Sequence, residues 1–251
     1  MELSAPGQLV DWVQPFPDLE SCWNACRSPE VMLWLAARLC GTAGERRAVV
    51  SCLAELTRRA GRASQHADPS VERAACTVET WVRTGAGLDE LLAAERAALD
   101  AAAWAGIVAA EQGARARRLF RSAPRGRAAS FGTGRALGAV ADWREADQAW
   151  QIALAAAGAA RAAAEAARAE AAPADSGPAD AARADGGAVV SGASGISGAS
   201  GAPAGDWENC VGESAHYAVR ALSRSRTGQH DAAARKAARL IRRRLPCPRL
   251  D

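Results

Sequence analysis

The chain has 251 residues and a formal net charge of +3. That length allows one large helical domain or two small ones, with enough core to need no staples. The charge is too small to imply a polyanionic partner by itself. No stretch of about 18 strongly apolar residues occurs, which excludes an obvious membrane span.

Alanine makes up about a quarter of the chain, and tyrosine, phenylalanine and isoleucine are scarce. Alanine has the best helix propensity, so the composition points to an all-α fold. Lys236 is the only lysine; the other basic residues are arginines. Met1 to Val10 carries neither a basic n-region nor a long apolar run, so no secretion signal is expected. The cysteines, Cys22, Cys26, Cys40, Cys52, Cys76, Cys210 and Cys247, are odd in number. An odd count without a leader suggests reduced thiols in a cytoplasm.

In chain order, Ser28, Pro29 and Glu30 read as N-cap, first-turn proline and first-turn acid. The run Val31 to Leu35 predicts a central helix buried all round, stopped at Gly41. The next predicted helix spans about 45–60, with Val49, Leu53 and Leu56 at spacing four and three. Asp68 and Pro69 repeat the cap-plus-proline signal. Val71, Ala75, Val78 and Val82 follow as an apolar stripe with Trp81 beside it, ended by Gly85 and Gly87. Leu88, Leu91, Leu92, Leu99 and Ala102 open a longer helix that reaches Gly113 or beyond. Residues 115–135 contain Pro124 and several glycines and are expected to be partly loop. A helix over about 135–171 has Val140, Trp143, Trp150 and Leu154 on its packed side.

Between 172 and 205 the composition shifts, and 191–201 is low-complexity Gly/Ser sequence. Such a segment cannot bury enough apolar surface to offset its ordering entropy, and a flexible linker or long loop is expected. After it, Val211, Ala215, Ala218, Val219 and Leu222 form one helical stripe. Ala233, Ala237, Leu240, Ile241 and Leu245 form another, ended by Pro246 and Pro248. The expected architecture is an all-α bundle of about seven to nine helices with one long Gly/Ser-rich loop, in a single domain over 1–251. The C-terminal pair, within 206–248, is too small to stand alone and should pack on the N-terminal helices.

The search for chemistry returns little. Cys22 and Cys26 share a helix face, and with Cys40, Cys52 or His66 they could hold a metal. Structural zinc sites use closer pairs and a second matching pair, so buried thiols acting as small apolar residues are the better reading. His66, His216 and His230 are scattered, with no metalloprotease spacing and no nucleophile elbow. His216 is expected to pack with Tyr217. Gly132, Gly134 and Gly138 imitate a nucleotide loop but lack the preceding strand. No cofactor, metal site or catalytic set is expected, and the chain does not read as an enzyme.

Two basic stretches remain. Arg115, Arg117, Arg118, Arg121, Arg125, Arg127 and Arg135 occur with no acid between Glu111 and Asp142. Arg235, Lys236, Arg239, Arg242, Arg243 and Arg244 crowd one C-terminal helix. Each can be a docking face for nucleic acid or an acidic protein, or a solvated face with cations at a helix C-terminus. RNA is the less attractive partner, since only Phe120 and Phe131 interleave with the arginines. Eight tryptophans against one tyrosine is unusual. They either anchor alanine-rich helices, or some of Trp12, Trp104, Trp143 and Trp207 are exposed as binding hot spots.

The Cys22-Trp23-Asn24-Ala25-Cys26 opening, with Val31 to Ala36 after it, resembles immunity proteins of bacterial polymorphic toxin systems, in their all-helical family five-like group. Glu79 to Gly85 is similar to that group's helix ending in tryptophan and a basic residue before glycine. The alanine-rich helices near 97–110 and 153–172 and the Ala215-His216-Tyr217-Ala218 segment also look like it. The Gly/Ser segment and the arginine-rich stretch depart from its pattern. The resemblance implies a cytoplasmic protein that binds a cognate toxin domain and blocks it by occlusion, with no cofactor and no catalytic residue to carry over. Arg115, Arg117, Arg118, Arg121, Arg125 and Arg127 are the expected partner-binding residues, and no membrane partner is expected. The alternative is a helical nucleic-acid-associated or regulatory protein that uses the arginine-rich faces.

Overall fold

A computed structural model of the chain describes residues 16–64, 68–85, 87–122, 129–171, 206–224 and 230–247, with backbone alone at 129–133, 206, 224 and 230. Among the described residues there are eight helices and no strand: α1 Leu19–Ala25, α2 Pro29–Leu39, α3 Ala43–Ala63, α4 Pro69–Thr84, α5 Leu88–Ser122, α6 Ala129–Ala171, α7 Asp206–Arg224 and α8 His230–Arg244. The fold is all-α, as composition and periodicity require. The Gly/Ser segment expected at 172–205 lies outside the described residues.

Local chemistry sets the helix starts. Asp18, Ser28, Thr42 and Asp68 are the N-caps of α1 to α4, each accepting a backbone N–H of the first turn. Thr42 and Glu45 form a reciprocal capping box, so α3 begins at Ala43, two residues before the expected start. As expected, α2 stops before Gly41: the helix ends at Leu39 with Cys40 extended as its C-cap, and Glu45 accepts from the backbone N–H of both Gly41 and Thr42. Gly85 does end α4. Its φ of 70° lies in the left-handed region that favours glycine. A Cβ there would also strike the Arg47 guanidinium.

The core lies where α2, α3, α6, α7 and α8 meet. Met32, Leu33, Val49, Leu53, Trp81, Val211, Val219 and Ile241 share it with a run of α6 alanines from Ala155 to Ala166. A second cluster joins Ala60, Val71, Ala98, Ala102, Ile152 and Ala221. Contrary to expectation, α2 is not buried all round. Met32, Leu33, Ala36 and Ala37 are buried, while Val31, Trp34 and Leu35 are partly exposed, because neighbours cover only one side of this short helix.

Long-range polar contacts tie the chain's two ends together. The Trp207 indole donates to the Ala37 carbonyl at 3.1 Å, and Arg38 pairs with Glu208 at 3.3 Å. Arg47 lies over the Trp81 ring and makes a fork of hydrogen bonds to Glu170, linking α3, α4 and the end of α6. No described helix is long and apolar enough to cross a membrane.

The two longest helices form an antiparallel hairpin. At 1.5 Å per residue α5 is about 52 Å long and α6 about 64 Å. On α6, Ala136, Ala139, Trp143, Ala146, Trp150, Ala153, Ala157, Ala160 and Ala164 alternate at spacing three and four, and all are at least partly buried. On α5, Leu91, Glu95, Ala98, Ala102, Ala105, Ala109, Gln112 and Ala116 do the same. This is the heptad repeat of a coiled coil. Small residues hold the seam, so the backbones approach closely enough for α6 tryptophans to rest on α5 glycines. A Cβ on Gly106 would lie 3.4 Å from Trp150, and one on Gly113 would lie 3.2 Å from Trp143. Seven residues forward on α5 match seven back on α6, which fixes the register.

Candidate functional site

Beyond Ala102 on α5, and before Trp150 on α6, the hairpin contributes nothing to the two core clusters. Its distal part is an arm whose buried α5 residues, Ala109, Gly113 and Ala116, serve the seam with α6. A helix pair that buries one stripe leaves the rest of its circumference to solvent. On this arm, that circumference carries unusual residues. Trp104 is 69% exposed and Ile107 is 54% exposed. Phe120 and Leu137 are exposed as well.

Trp104, Ile107, Glu111, Ala114, Arg118 and Arg121 recur at spacing three and four. They therefore form one line along α5, on a different side from the buried seam. Trp104 and Ile107 make an apolar inner end, and Arg118 and Arg121 a basic outer end about 21 Å away along the axis. Arg115 and Arg117 are exposed beside that outer end. None of these four arginines pairs with a carboxylate among the described residues.

Of the expected partner-binding residues, the structure brings Arg115, Arg117, Arg118 and Arg121 together on the last two turns of α5. Arg125 and Arg127 lie outside the described residues. Of the stretch 115–135 expected to be partly loop, 115–122 and 129–135 are helix and 123–128 lie outside the described residues. Arginine and alanine are good helix formers, and Ala116 continues the buried seam. Sequence reasoning weighed Trp104 only as one of several tryptophans and missed Ile107. The signal that could have found both was the seam itself, since locating its heptad positions places 104 and 107 outside it.

The C-terminal basic stretch is partly used inside the protein. Arg242 donates from Nε to the Trp23 carbonyl at 3.2 Å and from Nη2 to the Cys26 carbonyl, satisfying the end of α1. Arg244 bonds the Ser51 hydroxyl at 3.3 Å and approaches Glu55. Arg235, Lys236, Arg239 and Arg243 stay exposed.

Cys22, Cys26, Cys52 and Cys210 are buried and form no disulfide among the described residues, and the Cys26 thiol donates to the Ser28 carbonyl at 3.4 Å. Burial pushes the Cys26 thiol up to about 11 and the Cys52 thiol up to about 12. Both are therefore neutral at physiological pH and poorly suited to act as thiolate nucleophiles. Among the described residues no three His, Cys, Asp or Glu side chains gather as a metal-binding group; His66 lies outside them. His216 and Tyr217 pack edge to face with ring centroids 5.7 Å apart, and His216 Nδ1 lies 3.8 Å from Glu30. Gly134 and Gly138 sit inside α6, with open space where a Cβ would go, and form no loop.

These features define an all-α bundle with a coiled-coil arm whose outer face carries apolar and basic side chains. In comparison with family models, curated proteins and solved structures, no match to the chain is found.

Proposed function

We propose that the protein is a cytoplasmic immunity protein that neutralises a cognate bacterial toxin by occlusion, and that the arm of α5 and α6 carries the contact. The observation that supports this most is the exposed line from Trp104 and Ile107 to Arg118 and Arg121. Tryptophan and arginine are the residues most enriched at binding hot spots, and large exposed apolar side chains on a helix mark interaction surfaces. A rigid two-helix arm loses little conformational freedom on binding, which favours affinity. The partner surface would be apolar in one part and acidic in another. Occlusion of an active site calls for no cofactor and no reactive group on this chain.

The test is co-expression with the toxin-like product of the neighbouring gene, scored by growth and by recovery of a complex. Trp104→Ala with Ile107→Ala, and separately Arg118→Glu with Arg121→Glu, should each weaken the complex by about tenfold or more. Both pairs are exposed, so folding should change by less than about 0.5 kcal/mol per residue. Full protection and unchanged binding by both double variants would reject the arm as the interface. A toxic neighbour that is neither bound nor neutralised would reject the immunity reading for that pair. Binding to arbitrary duplex DNA, lost steeply with salt, would favour nucleic acid instead.

A further inference from the structure

A cavity of about 400 Å³ lies between the end of α3, the end of α7 and the start of α8. Its floor and walls are apolar, from Leu56, Ala63, Leu222, Ala232, Ala233 and Ala237. Arg59, Arg62, Lys236 and Arg239 also line it, and among the described residues no acidic side chain does. Arg59 is held by Glu55 at 2.7 Å. Arg62, Lys236 and Arg239 line one cavity from two helices with no carboxylate paired to them among the described residues, so an anion entering it meets net positive charge.

The cavity falls within the size range of small-molecule sites, which combine apolar walls with a few placed polar groups. Three unpaired charges, two of them guanidinium forks, match a dianionic phosphate head better than a single carboxylate, because each fork can take two phosphate oxygens. A free inorganic ion would leave the alanine and leucine walls unused. From the uncompensated cations and the apolar floor together, we infer that this cavity binds a small phosphomonoester with a short apolar body. The site shares no residue with the arm and does not depend on the toxin-binding reading.

The experiment is titration calorimetry of the full chain with octyl phosphate, kept below its micelle concentration, and with inorganic phosphate. Octyl phosphate should bind with one site per chain, and inorganic phosphate at least about tenfold more weakly, reflecting the apolar walls. Lys236→Gln with Arg239→Gln removes two cations from exposed positions and should weaken octyl phosphate by about tenfold or more. Ala233→Trp should block the cavity and abolish binding. The inference is overturned if octyl phosphate does not bind, or binds at many sites per chain. It is equally overturned if inorganic phosphate binds as tightly, or if the Lys236→Gln, Arg239→Gln protein binds as well as the parent. That last protein keeps the test decisive should Ala233→Trp fail to fold.

Discussion

Gly158 marks a close approach between α6 and α7, and Gly158→Ala tests how tightly the alanine-rich core is packed. A Cβ on Gly158 would lie 2.8 Å from Ser214 Cβ and 3.3 Å from Ser214 Cα. Carbon atoms prefer about 3.5–4.0 Å, so the two helices must separate by about 0.7 Å or shear. Neither obstacle is the free end of a flexible side chain. Overpacking of this kind costs about 1–3 kcal/mol. The Ser214 hydroxyl donates to the Ala155 carbonyl at 2.9 Å, and displacing that bond adds about 1 kcal/mol. Against this, alanine is better than glycine in a helix by about 1 kcal/mol. The net expectation is a loss of about 1–3 kcal/mol. For a chain of this size each kcal/mol lowers Tm by about 2–4 °C. Gly138→Ala is the control on the same helix, since its Cβ meets nothing within 4 Å. It should gain up to about 1 kcal/mol from propensity alone. Thermal unfolding followed by circular dichroism, with urea titration alongside, reads both. The packing argument fails if Gly158→Ala matches or exceeds the parent in stability, or if both variants shift in the same direction.

Gln151 is fully buried on α6, and neither its amide oxygen nor its nitrogen has a partner among the described residues. Gln151→Met keeps the volume, removes that cost and should stabilise by about 1–3 kcal/mol in urea unfolding; a loss would show that the amide is satisfied in solution. Burial raises the pKa of Glu95 in the α5 seam, opposed by Arg161 and Arg168. The ionised form is thus disfavoured in the folded state, and its penalty grows as pH rises through the carboxyl range. Glu95→Gln should therefore have a higher Tm than the parent at pH 7, with the gap closing toward about pH 4; a gap that widens on acidification contradicts the sign. Arg242→Met strips the end of α1 of two charge-assisted hydrogen bonds and should cost about 1.5–3 kcal/mol. Its amides at 22–26 should exchange with solvent faster, and unchanged protection there would mean that α1 is held by Cys22 and Trp23 packing alone.

The helix boundaries were legible where capping chemistry is local. Ser28 with Pro29 and Asp68 with Pro69 announce their helices within three residues, and Gly85 announces an end through a backbone conformation that other residues resist. Gly41 also marks a helix end, but without a left-handed backbone; there the next helix's capping box, Thr42 with Glu45, holds the turn. The all-round burial expected for α2 failed for a tertiary reason. Apolar residues on every face say that a helix is capable of burial, but the number of neighbours decides how much of it is covered.

The coiled-coil arm was hidden by its own composition. Periodicity is read from the contrast between strongly apolar and polar residues, and a seam filled mostly by alanine, at Ala136, Ala139, Ala146, Ala153 and Ala157, gives little contrast. Alanine contributes little area but lets two helices close to short range, so the seam's specificity passes to the few large residues that must fit against it. Trp143 and Trp150 meet this demand by lying on Gly113 and Gly106, one heptad apart on both helices. Trp104 and Ile107 lie outside the seam and make no such fit. In a hairpin whose packing is carried by alanine, glycine and two seated tryptophans, a third tryptophan left in solvent adds nothing to the fold that a smaller residue would not. Its presence on the same helix line as arginines that pair with no carboxylate among the described residues is the reason to look for function on the arm.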